Sequence, residues 1–196
     1  MRIQINTTGV YLLLLAASIT PVSSCSEDQI LIDESEILEP IDNPEVQEPS
    51  EPQIFSLAPA FQGIDLVDGK NISSDDTEGY VRIINFWATW CPPCQAEIPG
   101  LIGLQNKYAD RKFTVIGISL DTGGAAVVES FIEENGINYP VILATKQTVS
   151  DYEDAIDTPI HSIPTSMVVD RDGGIISVHV GFRTKEQFEE EIQKLL

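Results

Sequence analysis

Basic residues are scarce in this chain. Eleven Lys and Arg stand against 31 Asp and Glu, a formal charge of −20 over 196 residues. That balance argues against a nucleic-acid partner, because binding a phosphate backbone needs a basic face. No Lys or Arg occurs between Arg2 and Lys70, whereas ten Asp or Glu lie from Glu27 to Glu51. Cysteine is scarce too: Cys25, Cys91 and Cys94 are the only three. Three are too few for a disulfide scaffold, and the odd one needs its own account. A closed zinc site takes about four ligands, and there is no second cysteine pair to supply them. The apolar stretch Val10–Ile19 is far shorter than the roughly 20 residues that cross a bilayer. No internal repeat is visible.

What is present begins with a targeting pattern. Arg2 gives a short positive start, Val10–Ile19 an apolar core, and small residues follow, so residues 1–24 read as a signal peptide. Val22-Ser23-Ser24-Cys25 resembles the lipobox of bacterial lipoproteins, although Leu is commoner where Val22 stands. The resemblance implies that Cys25 is lipidated and becomes the first residue of the mature chain. An ordinary signal peptide cut nearby would leave Cys25 a free thiol, a liability in an oxidising compartment; an uncleaved anchor would tether the chain in much the same place. Residues 25–53 read as an acidic linker. They contain Pro40, Pro44, Pro49 and Pro52 and no aromatic residue, so they cannot bury enough apolar surface to offset their ordering entropy.

From residue 54 the composition becomes globular, and 54–196 is read as one domain. Gly63–Lys70 suggests a hairpin turning at Asp68-Gly69. Val81–Phe86 and Phe113–Ser119 are β-rich runs expected as buried strands. Cys94–Tyr108 has helical spacing, with an interruption expected at Pro99. Ala125–Asn135 reads as a helix capped by Gly136, Tyr139–Ala144 as a strand and Val149–Ile156 as a short helix. Thr165–Asp170 and Ile175–Val180 form a hairpin around Asp172-Gly173-Gly174. Thr184–Leu196 is an amphipathic helix, with Thr184 and Gln187 as its capping pair. Strands alternating with helices, then a hairpin and a closing helix, give an α/β fold: a mixed central sheet with helices on both faces.

The chemistry concentrates at Trp90-Cys91-Pro92-Pro93-Cys94, where the first long strand gives way to a helix. Unpaired N–H groups and the positive end of the helix dipole stabilise negative charge there. A cysteine so placed, or in a Cys-x-x-Cys pair, is held below the ordinary thiol pKa of about 8.5. Cys91 and Cys94 are therefore read as a working pair and Cys25 as a residue of different chemistry.

Asn85 to Cys94, the following Gln95-Ala96-Glu97-Ile98-Pro99, and Ile163-Pro164-Thr165 ahead of the late hairpin together resemble the thioredoxin superfamily. Within it they look like the membrane-tethered, extracytoplasmic branch of TlpA- and ResA-type thiol-disulfide oxidoreductases. The resemblance covers residues 54–196, including the helix and strand between Gly124 and Ala144 that this branch inserts. It implies a thioredoxin-like fold and no cofactor beyond a redox-active Cys91–Cys94 disulfide. It also implies that Cys91, the more exposed sulfur, attacks a substrate disulfide, that Cys94 resolves the mixed disulfide, and that Pro164 is cis and faces them. Trp90, Pro92, Pro93, Ile163 and Pro164 are the candidate substrate-binding residues, and Trp87 is either core or beneath the active-site loop.

One departure matters. Thioredoxin itself has a buried Asp at the position of Asn85, and Asn85 cannot titrate. Glu97 matches the glutamate of the ResA-type motif and is the candidate proton relay; otherwise it is a surface residue of the helix's first turn. The partners implied are proteins with disulfides, apocytochrome c among them, a membrane thiol-electron donor, and the membrane through the lipid anchor, in a bacterial cell envelope on the extracytoplasmic side. Rival readings are metal transfer through the cysteine pair, a peroxiredoxin-like thiol peroxidase and a non-enzymatic binding lipoprotein. The peroxidase pattern is not met, since Thr89 stands two residues before Cys91 rather than three. His161 and His179 are expected in a loop and a strand, with His161 close ahead of Pro164.

Overall fold

The computed structural model describes residues 55–196. The expected signal peptide, Cys25 and the acidic linker lie outside the described residues. In chain order come β1 (Gln62–Ile64), β2 (Asn71–Ser73), β3 (Val81–Trp87), α1 (Pro92–Tyr108), β4 (Phe113–Ser119), α2 (Ala125–Asn135), β5 (Val141–Leu143), α3 (Lys146–Ile156), β6 (Thr165–Val169), β7 (Ile175–Val180) and α4 (Lys185–Gln193). β1 and β2 form a small antiparallel pair, and the other five strands form one sheet in the order β5-β4-β3-β6-β7. β3 runs parallel to β4 and β4 to β5, while β6 is antiparallel to β3 and β7 to β6. This is the mixed, helix-flanked sheet that the sequence pattern predicts.

β3 and β4 are buried along their whole length, which is why they read as continuous apolar runs rather than alternating ones. Their side chains still alternate between two core layers. Ile83, Trp87, Val115 and Val168 pack with Ile98, Leu101 and Leu104 of α1, Val128 of α2 and Phe188 of α4. Ile84, Phe86, Ile116, Ile118 and Met167 pack on the other face with Tyr152 and Ile156 of α3. Each such fully buried side chain contributes roughly 1.5–3 kcal/mol by leaving water. The two-residue period of a strand puts Asn85 on the same face as Ile83 and Trp87, beneath α1.

Some expected boundaries move. α1 begins at Pro92 and passes through Pro99 unbroken. A proline there removes one N–H donor, but the buried row Cys94, Ile98, Leu101, Leu104 and Tyr108 holds the helix on the sheet, and packing outweighs local propensity. The hairpin is wider than Gly63–Lys70: Gly63 pairs with Ile72 and Ile64 with Asn71. Asp65 turns inward instead, accepting from the Val67 N–H at 2.9 Å and the Val141 N–H at 3.0 Å. α3 starts three residues early, because the Thr145 hydroxyl caps it by accepting from the Thr148 N–H. Thr184 and Gln187 cap α4 reciprocally, as expected.

Candidate active site

β3 ends at Trp87, and the chain turns through Ala88–Trp90 into α1. Cys91 is the N-cap of that helix, and Pro92 and Pro93 occupy its first turn, where a missing N–H costs little. Cys91 and Cys94 are joined as a disulfide with their Cα atoms 5.3 Å apart. The Cys94 N–H donates to Cys91 Sγ at 3.3 Å, so the outer sulfur takes the place that an oxygen fills in most helix caps. Both cysteines are nearly sealed, Cys91 at 4% and Cys94 at 1% exposure; the expected difference between them is small in this disulfide form.

Across from the disulfide lies the Ile163–Pro164 peptide, which is cis. Cys91 Sγ is 3.6 Å from the Ile163 carbonyl oxygen. A sulfur in a disulfide carries no proton, so this is a contact rather than a hydrogen bond. Ile163 is half-buried and Pro164 buried, whereas Pro92 and Pro93 are exposed. Trp90 stands 67% exposed beside the pair, and Trp87 is wholly buried against Phe131 of α2, ring centroids 5.4 Å apart. An open groove of about 650 Å³ runs between Trp90 and α2, lined in part by Ala126, Val127 and Phe131.

One helical turn past Cys94 on α1 is a buried carboxyl. Glu97, 2% exposed, is no surface residue of the first turn. Asn85 Nδ2 donates to Glu97 Oε1 at 2.8 Å and to Ser166 Oγ at 2.8 Å. Ser166 Oγ lies 3.4 Å from the same Oε1, and the Arg183 N–H donates to Oε2 at 2.8 Å. Burial pushes the Glu97 pKa up to about 7, against the pull of the Arg183 N–H, Ser166 and Asn85. So the acid exchanges its proton near neutrality, the condition for accepting and returning one there. Its three donors come from β3, β6 and the segment after β7. α4 can close over this turn because Gly100 is bare: a Cβ there would sit 3.3 Å from Lys185 Cβ and 3.4 Å from the Lys185 main-chain nitrogen.

The loop ahead of Cys91 has a clamp that the sequence reading missed. The Asp121 carboxylate, just past β4, accepts from the Thr89 N–H at 2.9 Å and the Thr89 hydroxyl at 2.6 Å. Ser119 Oγ donates to the same carboxylate at 2.8 Å, and Gln95 Nε2 donates to the Thr89 carbonyl at 2.6 Å. Thr89 is thus tied to β4 and to α1, which fixes the segment carrying Trp90. An acid after a strand is a common loop residue, and nothing local in the sequence marks Asp121. His161 is exposed in the loop before Pro164. His179 lies in β7 and joins Glu191 and Arg183, a grouping that the sequence does not signal.

Comparisons with known proteins agree with this geometry. The AhpC/TSA family model matches residues 54–178. A thiol-disulfide oxidoreductase ResA from Bacillus thuringiensis is 34% identical over 144 residues, 73% of this chain and 79% of that one. The thioredoxin-like protein YneN of Bacillus subtilis is 31% identical over 69% of this chain and 76% of its own. A solved thiol:disulfide interchange protein of the thioredoxin family from Chlorobium tepidum superposes with a TM-score of 0.67 at 37% identity, covering 76% of this chain and 99% of that one.

Proposed function

Because this chain belongs to the AhpC/TSA family and is a ResA-like thiol-disulfide oxidoreductase of the thioredoxin superfamily, we propose that it works outside the cytoplasm, tethered to a membrane, as a reductase of protein disulfides. The observation that carries the chemistry is the Cys91–Cys94 disulfide at a helix start, with its outer sulfur 3.6 Å from the Ile163 carbonyl oxygen.

In the reduced protein the Cys91 thiolate attacks one sulfur of a substrate disulfide. The substrate S–S bond breaks, its first thiolate leaves and is protonated, and a mixed disulfide forms. Cys94 gives its proton to Glu97 and attacks Cys91 Sγ, which expels the second substrate thiolate. Two electrons pass to the substrate and the Cys91–Cys94 disulfide remains. Trp90, Pro92, Pro93, Ile163 and Pro164 ring the sulfurs and form the substrate-contacting surface. The main chain beside Pro164 offers an edge along which an extended substrate strand can pair. Apocytochrome c is the substrate we favour, with a membrane thiol protein as electron donor.

The tether rests on Arg2, the apolar stretch Val10–Ile19 and Cys25 within Val22-Ser23-Ser24-Cys25. Residues 25–53, acidic and proline-rich, then act as the extended spacer between anchor and domain. The test is a trap. Cys94→Ser in the living cell leaves Cys91 with no partner, so mixed disulfides accumulate and mass spectrometry identifies the substrates. Recovery of envelope proteins that carry Cys-x-x-Cys pairs is expected. A variant that captures no protein, together with a wild type that fails to reduce insulin, would overturn the reading.

A further inference from the structure

The donor on Glu97 Oε2 is a main-chain N–H, and a main-chain donor has to be held in place by something else. Arg183 carries its own anchor. Its guanidinium donates to Glu191 Oε1 at 2.6 Å through one terminal nitrogen and to His179 Nδ1 at 3.0 Å through the other. His179 Nδ1 accepts, so the ring proton sits on Nε2, which donates to Glu191 Oε2 at 2.9 Å. Ser177 Oγ donates to that same oxygen at 2.6 Å. Burial opposes the charge on Glu191, but the Ser177 and His179 hydrogen bonds and the Arg183 charge outweigh it and hold the carboxylate below its ordinary range. The guanidinium also lies 5.7 Å over the Phe188 ring. At the other end of the same segment the Gly181 N–H donates to the Pro164 carbonyl at 2.7 Å, and its φ of +93° suits a glycine. Residues 181–183 therefore bridge the Pro164 main chain and the buried acid.

We propose that Arg183 is a positioning residue for Glu97: its guanidinium, gripped by Glu191 and His179, pins the main chain so that the Arg183 N–H meets the buried carboxylate. The proposal rests on Glu97 as the proton acceptor for Cys94. Among the described residues, the titratable and charged groups around Glu97 are Tyr139 ahead of β5 and Arg183 itself, with Cys94, one turn away on α1, joining them once the disulfide is reduced; Asn85 and Ser166 face it as neutral donors.

The test reads Glu97 directly, by carboxyl-carbon NMR titration of the full chain, with its resonance assigned by its loss in Glu97→Gln. Arg183→Ala frees the main-chain donor from its anchor and removes a nearby positive charge, so Glu97 titrates higher by about one pH unit, a tenfold gain in proton affinity. Glu191→Ala moves it the same way by less. The double variant moves it no further than Arg183→Ala alone, since the two act through one linkage. Lys194→Ala, on the exposed end of α4, leaves it unmoved. An unchanged or lowered Glu97 titration in folded Arg183→Ala or Glu191→Ala would overturn the proposal. Normal turnover in Glu97→Gln would instead sink the relay reading while leaving the titration result intact.

Discussion

Asn85 Nδ2 lies 2.8 Å from Glu97 Oε1, and both side chains are closed off from solvent. The amide stands where thioredoxin itself places a carboxyl, and it serves a carboxyl that arrives from the helix. One ionisable acid therefore sits a helical turn from Cys94, with a neutral donor beside it.

Replacing that acid tests the relay. Glu97→Gln is expected to slow mixed-disulfide resolution by roughly a hundredfold and leave mixed-disulfide formation nearly untouched. The wild-type resolution rate climbs through a pH of about 7 as Glu97 ionises, and the variant lacks that step. Stopped-flow single turnovers with a fluorescent disulfide peptide separate the two phases; identical profiles for both proteins would dismiss the role.

The same acid ties stability to pH. Its folded pKa of about 7 lies above the ordinary 4.5, so the folded state favours the protonated form. The stabilising contribution is complete below 4.5 and is lost as pH rises through 7. The full span is about 3 kcal/mol. Denaturant unfolding at a series of pH values should show wild type losing ground to Glu97→Gln across that window. Parallel curves would mean that Glu97 ionises without cost.

Asn85→Asp sets a second carboxyl against the first. Two buried carboxyls at hydrogen-bond distance cannot both ionise cheaply, so they share a proton and titrate in two macroscopic steps. A loss of about 2 kcal/mol at alkaline pH is expected, shrinking in acid. Carboxyl NMR on this variant counts the steps.

Asp121→Ala removes the acceptor for the Thr89 N–H, the Thr89 hydroxyl and Ser119 Oγ. Leaving these groups unsatisfied should cost about 2–3 kcal/mol and let the Trp90 segment move. Asp121→Asn, which keeps one acceptor, should cost less. Urea midpoints and the rate of Cys91 alkylation in the reduced proteins check both effects.

Trp90 is 67% exposed, so Trp90→Ala should change stability by no more than about 0.5 kcal/mol. Its effect belongs to docking: reduction of a protein disulfide slows, while reduction of a small aromatic disulfide that needs no groove does not. Equal slowing of both would make Trp90 a support of the active-site loop instead.

How legible all this is depends on sequence distance. β3 and β4 stand out because both faces of each are covered and the whole run must be apolar. Cys91, Cys94 and Pro164 are visible through compact motifs, and Glu97 through its place in one. The partners that give Glu97 its properties are not visible: Ser166 lies 81 residues from Asn85, and Arg183 lies 86 from Glu97. Only the sheet order brings them together, and no local pattern records it. Pro99 misleads for a related reason, since the packing that carries α1 past it comes from the sheet. Asp65 misleads in the hairpin because its binding partner, the Val141 N–H, belongs to another strand.

The central position of β3 has a last consequence. Asn85 lies on it, and the loop bearing the disulfide grows from its end, while the sheet edges are the three-residue β5 on one side and β7 on the other. Local opening begins at edges and short elements, and a central strand gives up its amide protons only in global unfolding. In hydrogen exchange the flank made by α2 and β5 should open at low free energy, with the β3 amides among the last to exchange. The wall of the groove beside Trp90 should then open more often than the strand that carries Asn85 and leads to the sulfurs.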